Sequence, residues 1–237
     1  MSARRIARDG GLLALACVLL LTGGLAVAAP VEEVLLPLER YNTEKSRALA
    51  SQYRPQLVSF YETIYHCIPW VDLQKNGIGF RTPRWATEDD RYLSVWIWID
   101  QNDDGGFAAL SQERRASAMM SRYGVDLLRR MTALGGIASD ANLQGFSVVL
   151  SWIKPGTLGR PGQPPVNETL ALFADRATIL EFLGNRLPGA EFLNRARFSV
   201  YDGQQDLGRL PLEIWDDPFL RTFKLKNYQP PKSVHCS

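Results

Sequence analysis

Residues 92–99 read Tyr92-Leu93-Ser94-Val95-Trp96-Ile97-Trp98-Ile99, the strongest strand signal in the chain. The run is β-branched and aromatic and carries no apolar stripe at three- and four-residue spacing, so it predicts a strand. Both alternating sets of side chains are largely apolar. That pattern predicts a central strand covered on both sides.

After this strand, Asp100-Gln-Asn-Asp-Asp-Gly-Gly106 turns the chain into a long predicted helix over 107–134. Its stripe is Ala116, Met120, Tyr123, Leu127, Met131 and Leu134, and Gly135-Gly136 ends it. A second strand is expected over 145–153, with Phe146, Val148, Leu150 and Trp152 on one face. After a Pro/Gly-rich loop over 155–165, residues 169–173 read as a return strand, and Asp175 is placed to cap a short helix ending near Gly184. Residues 197–214 read as a hairpin around Asp202-Gly203, the dipeptide that suits a primed turn. From about 215 the tail is expected to be irregular.

Upstream of the strand, Leu57, Phe60, Tyr61, Ile64 and Ile68 recur at helical spacing within 41–68. Pro55 suits a first helical turn and breaks a single continuous helix, so this region is predicted as two helices. Residues 69–87, interrupted by Gly77, Gly79 and Pro83, are expected to be loop. The element order predicts an α+β fold: a mainly antiparallel sheet of four to six strands, with a long helix and two or three shorter ones packed on it.

The N-terminus has the order of an export signal. Arg4, Arg5 and Arg8 precede an apolar run over 12–21, then Thr22, Gly23, Gly24 and the small residues Ala26-Val27-Ala28. Cleavage is expected after Ala28, leaving residues 29–237 as one α+β domain in the periplasm or outside the cell. An uncleaved anchor is the competing reading; the glycines and Pro30 argue against it. Membrane contact is expected only through that segment, if it is kept. Cys17 is too early and too deep in the apolar run for a lipoprotein, and Arg4-Arg5 alone makes a weak twin-arginine signal.

Without residues 1–28, Lys+Arg falls from 27 to 24 and Asp+Glu from 25 to 24. A near-neutral chain lacks the clustered positive charge that releases counterions from nucleic acid, so that partner class is disfavoured.

Outside the signal, the cysteines and histidines arrive as two matching dipeptides, His66-Cys67 and His235-Cys236. A Cys67–Cys236 disulfide is the expected reading in an oxidising compartment. A two-His, two-Cys metal site is the alternative, but neighbouring side chains point about 100° apart on a helix and rarely meet one ion.

Asp100, Asn102, Asp104 and Gly105 match the opening of a calcium loop, but its twelfth position is Ser111 instead of a bidentate Glu. A polar strand-to-helix turn is expected there, with calcium as the alternative cofactor. Tyr92, Trp96 and Trp98 share one strand face and would form an aromatic platform for a sugar or peptide, or else core beneath a helix. Arg115, Arg122 and Arg129 recur every seven residues as a basic line, either solvated or meeting an acidic partner or peptidoglycan, with Asp126 placed to pair with Arg122.

No nucleophile elbow, phosphate loop, CxxC or HExxH occurs in the sequence. The expectation is therefore an exported, non-catalytic binding or interaction module of the bacterial cell envelope. A glycan- or peptide-binding module, a calcium-stabilised domain and an enzyme of another type are the alternatives.

Overall fold

The computed structural model describes residues 31–86, 89, 91–100, 105–222, 231, 232, 234 and 236, with the side chain of Thr222 left out. The expected signal segment, and Asn102 and Asp104 of the calcium-like turn, lie outside the described residues.

Three helices, α1 (Val31–Val34), α2 (Glu44–Gln52) and α3 (Arg54–Cys67), lead into β1 (Val71–Arg81) and β2 (Tyr92–Ile99). Then come α4 (Gly105–Ala108), α5 (Gln112–Met119), a π turn (Met120–Gly124) and α6 (Val125–Ala133). The chain continues through β3 (Gly145–Ile153), β4 (Asn167–Asp175), α7 (Arg176–Leu183), α8 (Gly189–Arg195), β5 (Arg197–Asp202), β6 (Gln205–Asp206) and α9 (Phe219–Thr222). The strands form one six-stranded sheet in sequence order. Only β2 and β3 run parallel, because α4–α6 carry the chain back across the sheet. The fold is α+β, as the sequence predicts.

The predicted break between the first two long helices falls at Tyr53 (φ −101°, ψ 11°), with Pro55 in the first turn of α3. Thr43 caps α2 by accepting from the Ser46 amide at 3.3 Å.

Five expectations are corrected. Residues 71–81, expected to be loop, form β1. Its register shifts between Leu73 and Ile78, where Asn76 takes φ 56°. A side chain at Gly77 would sit 2.6 Å from the Gln74 carbonyl oxygen, and one at Gly79 would sit 2.5 Å from the Tyr41 hydroxyl. The glycines that hide this strand from a propensity reading are what allow its neighbours to close on it.

The single helix predicted over 107–134 is instead interrupted at 109–111 and restarts with Ser111 accepting from the Arg114 amide. The Asp175 carboxylate does not cap α7; it accepts from the Tyr92 hydroxyl at 2.6 Å. Of the predicted hairpin, the turn at Gly203 (φ 60°) holds, but its return arm stays on β5 only as far as Gly208: Gln205–Asp206 form β6, the Leu207 amide donates to the Val200 carbonyl at 2.9 Å and the Val200 amide donates to the Gly208 carbonyl at 3.0 Å. α8 has no counterpart in the sequence reading.

The fifth correction concerns the faces of the sheet. Leu93, Val95, Ile97 and Ile99, with Phe146, Val148, Leu150 and Trp152 beside them, are fully buried in the hydrophobic core formed with the helices. The opposite face of β2 is not covered throughout: Trp96 is 42% exposed.

Between β6 and α9 the chain is extended but not loose. The amides of Glu213 and Trp215 donate to the hydroxyls of Ser117 and Ser121 at 3.0 and 3.1 Å. Two extended residues advance about 7 Å and four helical residues about 6 Å, so the two spacings match along the helix. Arg122 then meets Asp217 at 3.3 Å and lies over the Phe219 ring at 4.5 Å. Downstream, Cys236 is joined to Cys67 at the end of α3, across a sequence separation of 169.

That cross-link closes a long loop in the unfolded chain. Replacing both Cys67 and Cys236 by Ser is expected to lower the unfolding free energy by up to about 5 kcal/mol in the chain-entropy model, measured by urea denaturation. An unchanged midpoint contradicts this account.

Burial pushes the phenols of Tyr41 and Tyr123 above their ordinary range. Such groups hold their protons more tightly folded than unfolded. Their contribution is therefore complete below about pH 10 and lost as pH rises through the folded values. Near-UV absorbance is expected to show part of the tyrosines ionising only together with alkaline unfolding. Ionisation of all eight tyrosines near pH 10 in an intact fold contradicts the burial.

Candidate functional site

Strand alternation sends a second set of side chains to the face away from the core. Reading across neighbouring strands, one row is Asp72, Trp98, Ser151, Thr169 and Tyr201. The next is Trp96, Val149, Ala171 and Ser199, and the next is Gly79, Ser94, Ser147, Phe173 and Arg197. The middle of this face is small or hydroxylated and its rim is aromatic. Val149, Thr169, Ala171 and Ser199 are neither buried nor fully exposed. Together these positions make a shallow trough.

Trp96 is held in place despite its exposure. Its indole N–H donates to the Ser151 hydroxyl at 3.0 Å, and that hydroxyl lies 2.9 Å from the Thr169 hydroxyl. An indole fixed this way loses little conformational freedom when a ligand stacks on it.

Hollows lie at two diagonally opposite corners. One, of about 460 Å³, lies between Trp98 with its cross-strand neighbour Asp72 and the turn after α3, where Trp70 takes φ 57°. His66 and Asp100 also line it, and the Asp100 amide donates to the Trp70 carbonyl at 2.8 Å. The other, of about 300 Å³, is bounded by Trp85, Phe173, Tyr201, Arg197 and Arg209 over a floor of Ala171 and Ser199. There Trp85 meets Phe173 edge-on at 4.8 Å, and the Arg197 guanidinium lies 5.2 Å from the Trp85 ring centre.

The expected platform is thus divided. Trp96 and Trp98 line the trough. Tyr92 is buried, with its hydroxyl on Asp175 and its ring 6.0 Å from Phe173.

The basic line does not form one surface. Arg115 is only 8% exposed, and it binds the fully buried Glu168 through Nε at 2.7 Å and Nη2 at 2.5 Å. Glu168 also accepts from the Trp152 indole at 2.7 Å. Arg122 is engaged by Asp217 and Phe219, and Arg129 remains exposed. The π turn inside the helix breaks the strict seven-residue alignment. Asp126 pairs with Arg130 at 2.5 Å, not with Arg122.

Among the described residues no group of three or more His, Cys, Asp and Glu is placed to hold a metal ion. Asp100 follows the end of β2, and Gly105 opens α4; Asn102 and Asp104 lie outside the described residues. The loop over 155–165 is pinned by Thr157, whose hydroxyl donates to the Lys154 carbonyl at 2.7 Å and accepts from the Val166 amide at 3.2 Å.

Compared with known proteins, the chain matches no family model, no curated protein and no solved structure.

Sequence reasoning missed Ser151, Thr169, Phe173, Arg197 and Tyr201. For Ser151 and Thr169 the available signal is the alternation of β3 and β4, where Phe146, Leu150 and Leu170 alternate with Ser147, Ser151, Thr169 and Ala171; Phe173 breaks that alternation, and Arg197 and Tyr201 lie on β5. Trp85 lies outside any strand and carried no signal.

The buried pair makes a test of the core. Arg115→Met is expected to cost about 3–5 kcal/mol, because it leaves the Glu168 carboxylate buried without its cation. Adding Glu168→Gln, which keeps an acceptor for the Trp152 indole, is expected to restore most of that loss in denaturant unfolding. A double variant as weak as the single one contradicts the account.

Proposed function

We propose that this chain is an exported binding domain of the bacterial envelope, and that it takes a glycan in the trough on the open face of the sheet. The carrying observation is Trp96, exposed and yet anchored to Ser151. A large indole left in water forgoes burial energy, and fixing it there is reasonable where a ligand completes the burial. Sugars pair an apolar C–H face with a rim of hydroxyls. The trough offers indoles for the first, and Thr169, Ser199 and Tyr201 hydroxyls for the second.

Export is supported by the basic, apolar and small-residue order of residues 1–28, and by a disulfide, which persists in oxidising compartments. No helix among the described residues is long and apolar enough to cross a membrane. The working surface in this reading is the sheet face, not the arginine line, since Arg115 and Arg122 are engaged within the fold.

Fluorescence titration of the disulfide-intact protein with soluble peptidoglycan glycan strands is expected to give a saturable tryptophan signal. Trp96→Ala is expected to weaken binding about tenfold or more while leaving the far-UV spectrum unchanged. A flat titration of the unaltered protein, or an unaltered Kd in the variant, defeats the proposal.

A further inference from the structure

We infer that the glycan is acidic and that its carboxylate is read at the Arg197 corner of the trough; this rests on the glycan reading above. Two arginines, Arg197 and Arg209, line the corner, and among the described residues no carboxylate does. Arg114, Arg115, Arg195 and Arg221 each meet an acidic side chain, whereas no ion pair joins Arg197 to any described residue. Its guanidinium lies over Trp85, 5.2 Å from the ring centre, a contact that uses the cation's charge on the ring face and requires none of its five N–H donors. Those donors match the two oxygens of a carboxylate.

Arg209 supplies a second positive charge that is held still. It donates to the carbonyls of Ala196, at 3.0 Å, and Leu193, and lies over the Phe198 ring at 4.5 Å. A ring bearing the carboxylate has room above Ala171 and Ser199, with the aromatic edges of Trp85, Phe173 and Tyr201 around it.

The distance to the other anchor sets the ligand's size. Trp96 on β2 and Arg197 on β5 are three strand spacings apart, about 14 Å across the sheet. A single sugar cannot touch both. The ligand class is therefore an oligosaccharide with carboxylate-bearing units, stacked on Trp96 at one end and paired with Arg197 at the other.

The test compares an oligomer of uronic acid with its carboxyl-reduced neutral counterpart by calorimetric titration at low and high salt. The unaltered protein is expected to bind the acidic oligomer about tenfold more tightly, with a preference that shrinks as salt rises. Arg197→Gln is expected to erase that preference and Arg197→Lys to keep part of it, since lysine retains the charge without the fork. Trp96→Ala is expected to weaken both oligomers together.

Equal affinity for the two oligomers, with Trp96→Ala weakening both, overturns the acidic assignment and leaves the glycan reading standing. An undiminished preference in Arg197→Gln overturns it as well. Binding of neither oligomer removes the glycan reading, and this inference with it.

Discussion

The structure depends on one segregation: along the central strands, almost every large aliphatic side chain goes to the same face of the sheet. Leu93, Val95, Ile97, Ile99, Val148, Leu150, Leu170 and Leu172 are all fully buried there. Each such burial contributes on the order of 1.5–3 kcal/mol, and together they hold the helices to that side. Slipping any strand by one residue would exchange these groups for Trp96, Ser147, Ser151 and Thr169. Glu168 reinforces the register. It is the one carboxylate of β4 that points into the core, and there it meets Arg115 from the helix and the Trp152 indole from β3. A strand out of step would bury that charge with neither partner.

The same segregation governs what is left for binding. The helical rod from 112 to 133 presses one side on the sheet. Another side receives the extended chain through Ser117 and Ser121, with Arg122 fixed by Asp217 and Phe219. Two of the three arginines that look like a displayed basic line in the sequence, Arg115 and Arg122, are therefore engaged in holding the fold together, while Arg129 stays exposed. On the sheet's second face Ser94, Ser147 and Ser151 are buried, and the part that stays accessible is the strip of Trp96, Trp98, Val149, Thr169, Ala171 and Ser199.

How much of this was legible follows from where the information sits. The limits of β2 and β3 are set by side chains of the strands themselves, so local pattern sufficed for both. The break at Tyr53, the turn at Gly203 and the Cys67–Cys236 bridge also rest on the chemistry of a few residues. β1 was invisible because its glycines serve neighbours far along the chain: the Trp96 carbonyl and the Tyr41 ring. The fate of Arg115 depended on Glu168, and the docking of 213–217 on two serines about a hundred residues upstream. No short window contains both partners. The trough is half legible: its aromatic side on β2 shows in the local pattern, whereas its floor and its Arg197 corner depend on which face of β3, β4 and β5 each small or polar residue takes.

The account stands on the two faces of the sheet being unlike in their access to water. Hydroxyl-radical footprinting of the native, disulfide-intact protein, read by peptide mass spectrometry, addresses this at single residues. Trp85 and Trp96 are predicted to oxidise many times faster than Trp152 and Tyr123. Protection of Trp96 to the level of Trp152 would mean that the second face is covered, and would contradict the architecture and the binding surface together.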